Sequence, residues 1–299
     1  MAHDQLVKLA SGPLELVLAP AVGGSIARFD YLRGAEIVPV LRGSKGVPES
    51  VLDAASFPLV PYCNRIRGGR FTAGGRTVTL APNMAGDPSP LHGQGWLGQW
   101  EVARHDVTEA ELSFRHAAGA WPWDYEARQY FALGPTGLAL RLTCRNLSDA
   151  PMPCGLGMHP YFPCTAETRL QTGVAEAWTV DADVLPVDRV PATGRYDLAD
   201  RLVCGQELDN GFGGWDGRAL LSTPGIPFDT GLWSDDANYF QLYSPVSGGF
   251  IVAEPVSHAN AALNAPEEEW AGLGIRVLAP GETMELNARI GLAGDHFSA

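Results

Sequence analysis

Three stretches of the chain gather side chains that can move protons or hold polar ligands, each beside aromatics and turns. The first runs from Asn64-Arg65-Ile66-Arg67-Gly68-Gly69-Arg70-Phe71 to Pro90-Leu91-His92-Gly93. The second is Gly157-Met158-His159-Pro160-Tyr161-Phe162. The third begins at Leu208-Asp209-Asn210-Gly211-Phe212, continues through Phe240-Gln241-Leu242-Tyr243 and ends at Phe250-Ile251-Val252-Ala253-Glu254-Pro255. Imidazoles and carboxylates such as His92, His159 and Glu254 suit general acid–base chemistry. Asn64, Arg65, Asp209 and Gln241 offer donors and acceptors for hydroxyls. Every one of these residues also has an ordinary reading. His92 before glycine fits a turn, and His159 fits a core histidine bonded to a carbonyl. Asp209 before Asn-Gly fits a turn former. Glu254 before Pro255 fits the solvent end of a strand, and Arg65 and Arg67 fit the protection of a sheet edge.

Other chemistries find less support. No His-x-x-x-His or His-x-His spacing signals a metal site. There is no Gly-x-Ser-x-Gly elbow and no glycine loop for a nucleotide. The glycines from Gly211 to Gly214 read as a loop between strands, and Asp235-Asp236 as a solvated turn. Trp96, Trp100, Trp121 and Trp123 could stack on a sugar, but their burial value makes them core residues.

The elements that must position these groups are short strands. Leu138, Leu140, Leu142 and Cys144 alternate with Ala139, Arg141 and Thr143, and Met284, Leu286, Ala288 and Ile290 alternate with Glu285, Asn287 and Arg289. Pro280-Gly281 joins the latter run to Ile275–Leu278. Gly74-Gly75, between Arg70-Phe71-Thr72 and Thr77-Val78-Thr79-Leu80, predicts a tight hairpin. No long segment has a helical period; Asp53-Ala54-Ala55 and Leu198-Ala199-Asp200 could form short helical turns. With 35 glycines and 23 prolines spread throughout and no linker, the chain reads as one large antiparallel β domain over residues 1–299.

A net charge of -13 without any basic stripe argues against nucleic acid and weakly against a highly phosphorylated substrate. The first residues, broken by Asp4, Lys8 and Glu15, lack the apolar core of a signal peptide, and no stretch approaches the roughly 20 apolar residues that span a bilayer. The five cysteines, an odd number without Cys-x-x-Cys, read as reduced thiols of a cytoplasmic protein. Oligomeric state leaves no signal.

Taken together, the three stretches resemble the aldose 1-epimerase (galactose mutarotase) family. Asn64-Arg65-Ile66 with Gly69-Arg70-Phe71, Leu91-His92-Gly93, and His159-Pro160-Tyr161-Phe162 are similar to family segments. So are Asp209-Asn210-x-Phe212, Gln241-x-Tyr243 and Glu254-Pro255, all in the family's order over roughly residues 10 to 292. The resemblance implies a large antiparallel β-supersandwich, an open cleft on one sheet, and a sugar as partner without cofactor or metal. It implies Glu254 as general base, His159 as general acid, His92 assisting near the ring oxygen, and Asn64, Arg65, Asp209 and Gln241 as ligands of sugar hydroxyls. Pro163-Cys164 stand where the family often has Asn-Leu, and Gln94 where it often has Gly, which leaves the preferred sugar open.

The implied reaction suits these residue types. An aldose changes anomer by opening to its aldehyde and closing on the other face. Opening removes a proton from the anomeric hydroxyl and adds one to the ring oxygen, tasks for a carboxylate and an imidazolium. Neighbouring carboxylates are expected to favour the protonated histidine. Three rivals remain: a hexose-6-phosphate mutarotase of the same fold, a sugar-binding protein without catalysis, and a glycosidase using Asp209 with Glu254.

Overall fold

The computed structural model describes residues 6–293. The alternating runs form strands as expected. Gly137–Asn146 buries Leu138, Leu140, Leu142 and Cys144, and Thr283–Ala293 buries Met284, Leu286, Ala288 and Ile290. The two pair antiparallel, with Leu140 opposite Ala288 and Leu142 opposite Leu286. They occupy the middle of a nine-stranded sheet, between Tyr125–Leu133 and Asp229–Trp233. An eight-stranded sheet faces it. There Leu208–Gly213, Tyr239–Ser244 and Phe250–Val256 lie side by side, followed by Gly157–Met158 and Pro58–Leu59, while Tyr161–Pro163 also pairs with Phe250–Val256.

Side chains of both sheets interdigitate in one core: Leu140, Leu142 and Leu286 from the first meet Phe212, Phe240, Leu242 and Ile251 from the second. Each such side chain contributes ~1.5–3 kcal/mol on burial. The fold is thus a large antiparallel β-sandwich, and its helical segments are single 3₁₀ turns such as Val51–Asp53. Trp96, Trp100, Trp121 and Trp123 are all buried. Arg70–Ala73 and Arg76–Thr79 pair through the Gly74-Gly75 turn, where both glycines have positive φ, as a two-residue hairpin demands. Among the described residues no helix is long and apolar enough to cross a membrane.

Several expectations are corrected. The helical turn read at Leu198–Asp200 forms instead at Gly194–Tyr196. Gly211 and Gly213 lie within a strand, not a loop. Pro280-Gly281 turns a corner between strands that do not pair: Arg276–Leu278 bonds to Met152–Cys154, while Gly281 N–H donates to the Asn146 carbonyl. Cys164 and Cys204, separated by 40 residues, form a disulfide with their Cα atoms 5.8 Å apart, so the reading of every cysteine as a reduced thiol is overturned. Cys63, Cys144 and Cys154 are free and buried. Disulfides persist in oxidising compartments, so the cysteines no longer support the cytoplasmic expectation.

Candidate active site

The eight-stranded sheet presents a second face, away from the shared core. On Phe250–Val256 the residues Ile251 and Ala253 point into the core, while Val252 and Val256 point to a smaller apolar cluster with Phe57, Leu59, Leu91, Trp96 and Tyr161. Glu254 lies between Val252 and Val256, on that second face, and only 2% of it is exposed. It is therefore not the solvent end of a strand. A strand covered on both sides shows no polar alternation, which is why its sequence gives no sign of which residue faces away from the shared core.

Register does the rest. Gln241 is directly opposite Glu254, and Gly211 is directly opposite Gln241. Asp209, two residues before Gly211, shares the face, and its Oδ1 accepts from Gln241 Nε2 at 2.7 Å. Asp209 is thus a strand residue with a cross-strand partner, not a turn former. His159 sits in the break between Gly157–Met158 and Tyr161–Pro163, both paired to the strand of Glu254. Its N–H donates to the Phe57 carbonyl, and its ring stacks on Phe57 with centroids 4.3 Å apart. These contacts bring His159 Nε2 within 3.7 Å of Glu254 Oε1.

The 60–66 and 90–94 segments close the other side. Arg65 bridges to Leu91, and the His92 N–H donates to the Asn64 carbonyl. In return the Asn64 N–H donates to His92 Nδ1 at 3.1 Å, which leaves His92 Nε2 to carry the proton of the neutral ring. Asn64 and His92 both have positive φ (56° and 57°), a backbone that Asn and His adopt more readily than most residues but at some cost. Between them and the strand, Gly93 is required: a Cβ there would lie 2.1 Å from the Val60 carbonyl oxygen. His92 meets His159 edge to face at 5.4 Å. Arg65, nearly buried, donates from Nε to Asp87 at 2.9 Å, whereas Arg67 is exposed and reaches Asp181 and the Pro186 carbonyl.

Supporting residues escaped the sequence reading. Alternate backbone N–H groups of the 63–67 loop donate to side chains of the segment after Glu254: Cys63 to His258 Nε2, Arg65 to Asn260 Oδ1, and Arg67 to Asn264 Oδ1. Asp87 fixes the Arg65 head, and Phe57 fixes the His159 ring. The polar spacing His258, Asn260, Asn264 was the one visible signal, and it has no meaning until the two loops are known to touch.

Electrostatics set Glu254 and His159 against their charged forms. Burial, with repulsion from Asp209, pushes the Glu254 carboxyl well above its usual range, and Arg65 opposes this only in part. Burial holds His159 down at about 3; its own backbone carbonyl partly offsets this, and Arg42 adds to it. The expectation that neighbouring carboxylates would favour a protonated His159 is overturned, because desolvation outweighs a partner that is itself driven towards neutrality. Burial also lowers His92 and raises Asp209. Among the buried polar atoms without a hydrogen bond inside the protein are Asn64 Nδ2, His159 Nδ1, Gln241 Oε1 and Glu254 Oε2. Such atoms are costly unless something else satisfies them. Among the described residues no group of three or more His, Cys, Asp or Glu side chains could hold a metal ion.

The aldose 1-epimerase family profile matches residues 5–291. The uncharacterized protein YphB of Escherichia coli K12 is 32% identical over 297 residues, spanning 94% of this chain and 97% of that one. The aldose 1-epimerase of the same organism is 24% identical, over 76% of this chain and 72% of its own. A structure from Escherichia coli K12, solved as a candidate aldose 1-epimerase, superposes with a TM-score of 0.88 at 30% identity, covering 97% of this chain and 99% of that one. The fold of a galactose mutarotase-like protein from Clostridium acetobutylicum is also shared, with a TM-score of 0.85 at 18% identity over 97% of this chain and 96% of that one. With a family match over nearly its whole length, the chain belongs to the aldose 1-epimerase family.

Proposed function

We propose that the protein is an aldose 1-epimerase, an isomerase that interconverts the α and β anomers of a free aldose by acid–base ring opening and closure. The observation that carries this reading is the row of buried, unpaired polar atoms on Asn64, His159, Gln241 and Glu254 around one sheet face. A polyhydroxylated ring supplies both donors and acceptors to such a set. Asp209 and Arg65 add charged partners, which make stronger hydrogen bonds to hydroxyls.

In the mechanism, ionised Glu254 takes the proton of the anomeric hydroxyl while protonated His159 gives one to the ring oxygen, and closure reverses both steps. His92, with its proton on Nε2, assists near the ring oxygen. Because burial disfavours both charges, ionised Glu254 is a stronger base, and protonated His159 a stronger acid, than the same groups in water. The pair shares one proton, which at rest lies on the carboxyl. Sugar hydroxyls that bond to the charged forms raise the reactive arrangement.

A free sugar is favoured over a sugar phosphate by the occupation of the nearby guanidinium groups. Arg65 is held by Asp87, Arg67 by Asp181, and Arg42 Nη2 by the Leu52 and Ala54 carbonyls. Polarimetry of fresh anomers of glucose, galactose, xylose, arabinose and glucose 6-phosphate tests the reading. Faster mutarotation of a free sugar is expected. Acceleration confined to glucose 6-phosphate would replace this function with that of the phosphosugar enzyme.

A further inference from the structure

The chain from Cys164 to Cys204, a separation of 40 residues, forms a lobe at one side of the sandwich. It supplies the outermost strands of both sheets there: Arg169–Thr172 and Arg201–Leu202 to the nine-stranded sheet, Glu176–Val180 and Pro186–Pro191 to the eight-stranded one. The lobe is thinly tied to the second sheet. Glu176 pairs with Gly213 and Ala177 with Phe212, and Pro186–Pro191 lies outside them as the edge strand. Its tip nevertheless rests on the candidate site. Arg67 Nη1 reaches Asp181 at 3.2 Å, and Nη2 donates to the Pro186 carbonyl at 2.7 Å. Asn260 Nδ2 donates to the Val184 carbonyl at 3.0 Å, while its Oδ1 accepts the Arg65 N–H at 3.0 Å. One side chain thus joins the lobe tip to the backbone of Arg65.

The disulfide closes the base of this lobe. Cys164 follows Tyr161–Pro163, which pairs with the strand of Glu254, and Cys204 precedes Leu208–Gly213, the strand of Asp209. The Cys204 sulfur is poorly shielded. The residue is half-buried, Gly205 and Gly248 beside it bring no side chain, and a Cβ on Gly248 would lie 3.2 Å from Cys204 Sγ. The free thiols of Cys63, Cys144 and Cys154 are instead sealed in the core, none more than 1% exposed.

We propose that the Cys164–Cys204 bond is a reversible redox switch: oxidised, it holds the lobe against the Arg65 loop; reduced, it releases the lobe and weakens binding at the site. The partner it fits is a dithiol reductant. One thiolate of that reductant attacks Cys204 Sγ, and Cys164 leaves as a thiolate that takes up a proton. The second thiol then displaces Cys204, which leaves with a proton as the reductant closes its own disulfide. Two electrons pass to the protein, and the reverse exchange with an oxidised partner restores the bond. Without it the lobe is held by its few strand pairs, so it can open locally while the sandwich stays folded. Loss of the Val184 contact frees Asn260, and with it the Arg65 backbone. Only the effect on turnover rests on the function proposed above.

The test titrates the folded protein with dithiothreitol and traps thiols by alkylation. Cys164 and Cys204 should become reactive while circular dichroism shows the fold unchanged. Hydrogen exchange at the Arg65 amide should then quicken by about 10-fold or more, and reoxidation should restore its protection. Cys204→Ser should exchange rapidly with or without reductant. KM for the best sugar should rise by about 3- to 10-fold on reduction with kcat changed by less than about 3-fold, and Asn260→Ala, which cuts the lobe tip from Arg65, should show no further response to reductant. A bond that resists dithiothreitol in the folded protein, or Arg65 exchange that is the same in both redox states, would overturn the switch. So would a KM that does not move in a wild type that turns over sugar. If wild type turns over no sugar, the proposed function fails separately, and the exchange measurement still decides the switch.

Discussion

Two histidines that flank the candidate site, His258 buried and His159 nearly so, have opposite circumstances. His258 uses both ring nitrogens: Nε2 accepts from Cys63 N–H at 2.9 Å, and Nδ1 is 2.7 Å from the Ala259 carbonyl. His159 Nδ1 makes no hydrogen bond and feels only its own backbone carbonyl, and its Nε2 is held 3.7 Å from a carboxyl that is itself unsatisfied. Burial depresses both, His258 to about 4 and His159 to about 3, so depressed basicity alone does not tell a structural histidine from a chemical one. Hydrogen-bond satisfaction does. A fully partnered group stabilises the fold, whereas a buried group left with spare valence costs stability and is retained for what it meets.

The largest expected effect comes from the unsatisfied side. His159→Asn should lower mutarotation by roughly 100- to 10,000-fold, since an amide cannot supply the ring-oxygen proton. Glu254→Gln should do comparable damage, and the double variant should lose far less than the product of the single losses, because the two groups act in one step. Multiplicative losses would separate the two residues and break the contrast with His258.

Asp209→Ala comes next. Losing a charged hydrogen bond to a hydroxyl should reduce kcat/KM for the best sugar by about 10- to 100-fold with the fold intact. Unchanged kinetics across the sugar panel would remove Asp209 from the site.

The satisfied side predicts the converse. His258→Ala leaves the Cys63 N–H unpaired and should cost ~1–3 kcal/mol, read as a lower denaturation midpoint, with kcat of the folded protein changed only a few-fold. If His258→Ala instead matched His159→Asn in activity loss at unchanged stability, the distinction drawn from hydrogen bonding would fail.

The smallest effects concern pH. Glu254 has its folded pKa raised above the unfolded value, so it contributes most to stability when protonated and loses that contribution as pH rises through the folded pKa. Glu254→Gln should therefore have a thermal midpoint equal to or above wild type at pH 8, with the gap closing as pH falls towards 4.5. The alkaline limb of wild-type kcat/KM, where the pair loses its single shared proton, should lie above the ordinary glutamate range. Asp209→Asn removes a charge that raises Glu254, so it should move that limb to lower pH. A limb that stays in place would show that some other group controls it.

The sequence disclosed the sandwich where one face of a strand is wet. Leu138 to Cys144 and Met284 to Ile290 alternate because the nine-stranded sheet has an exposed outer face. It was silent where both faces are covered, as at Glu254, and where pairing is non-local, as at Cys164 with Cys204 or Arg276–Leu278 with Met152–Cys154. Residue identities named the candidate site, but its support by Asp87, His258 and Asn260 depends on contacts across as many as 195 residues of chain, which no local pattern encodes. Nor could types alone give the proton balance of His159, since desolvation becomes known only with burial.

Anomer exchange in an equilibrated free aldose, followed by magnetisation transfer between the two anomeric protons, tests the central claim most directly. Wild-type protein should raise the exchange rate of at least one sugar above the spontaneous rate, and Glu254→Gln, shown to be folded, should return it close to that rate. Exchange that persists undiminished in Glu254→Gln, or saturable sugar binding by wild type with no acceleration for any free aldose, would contradict the account.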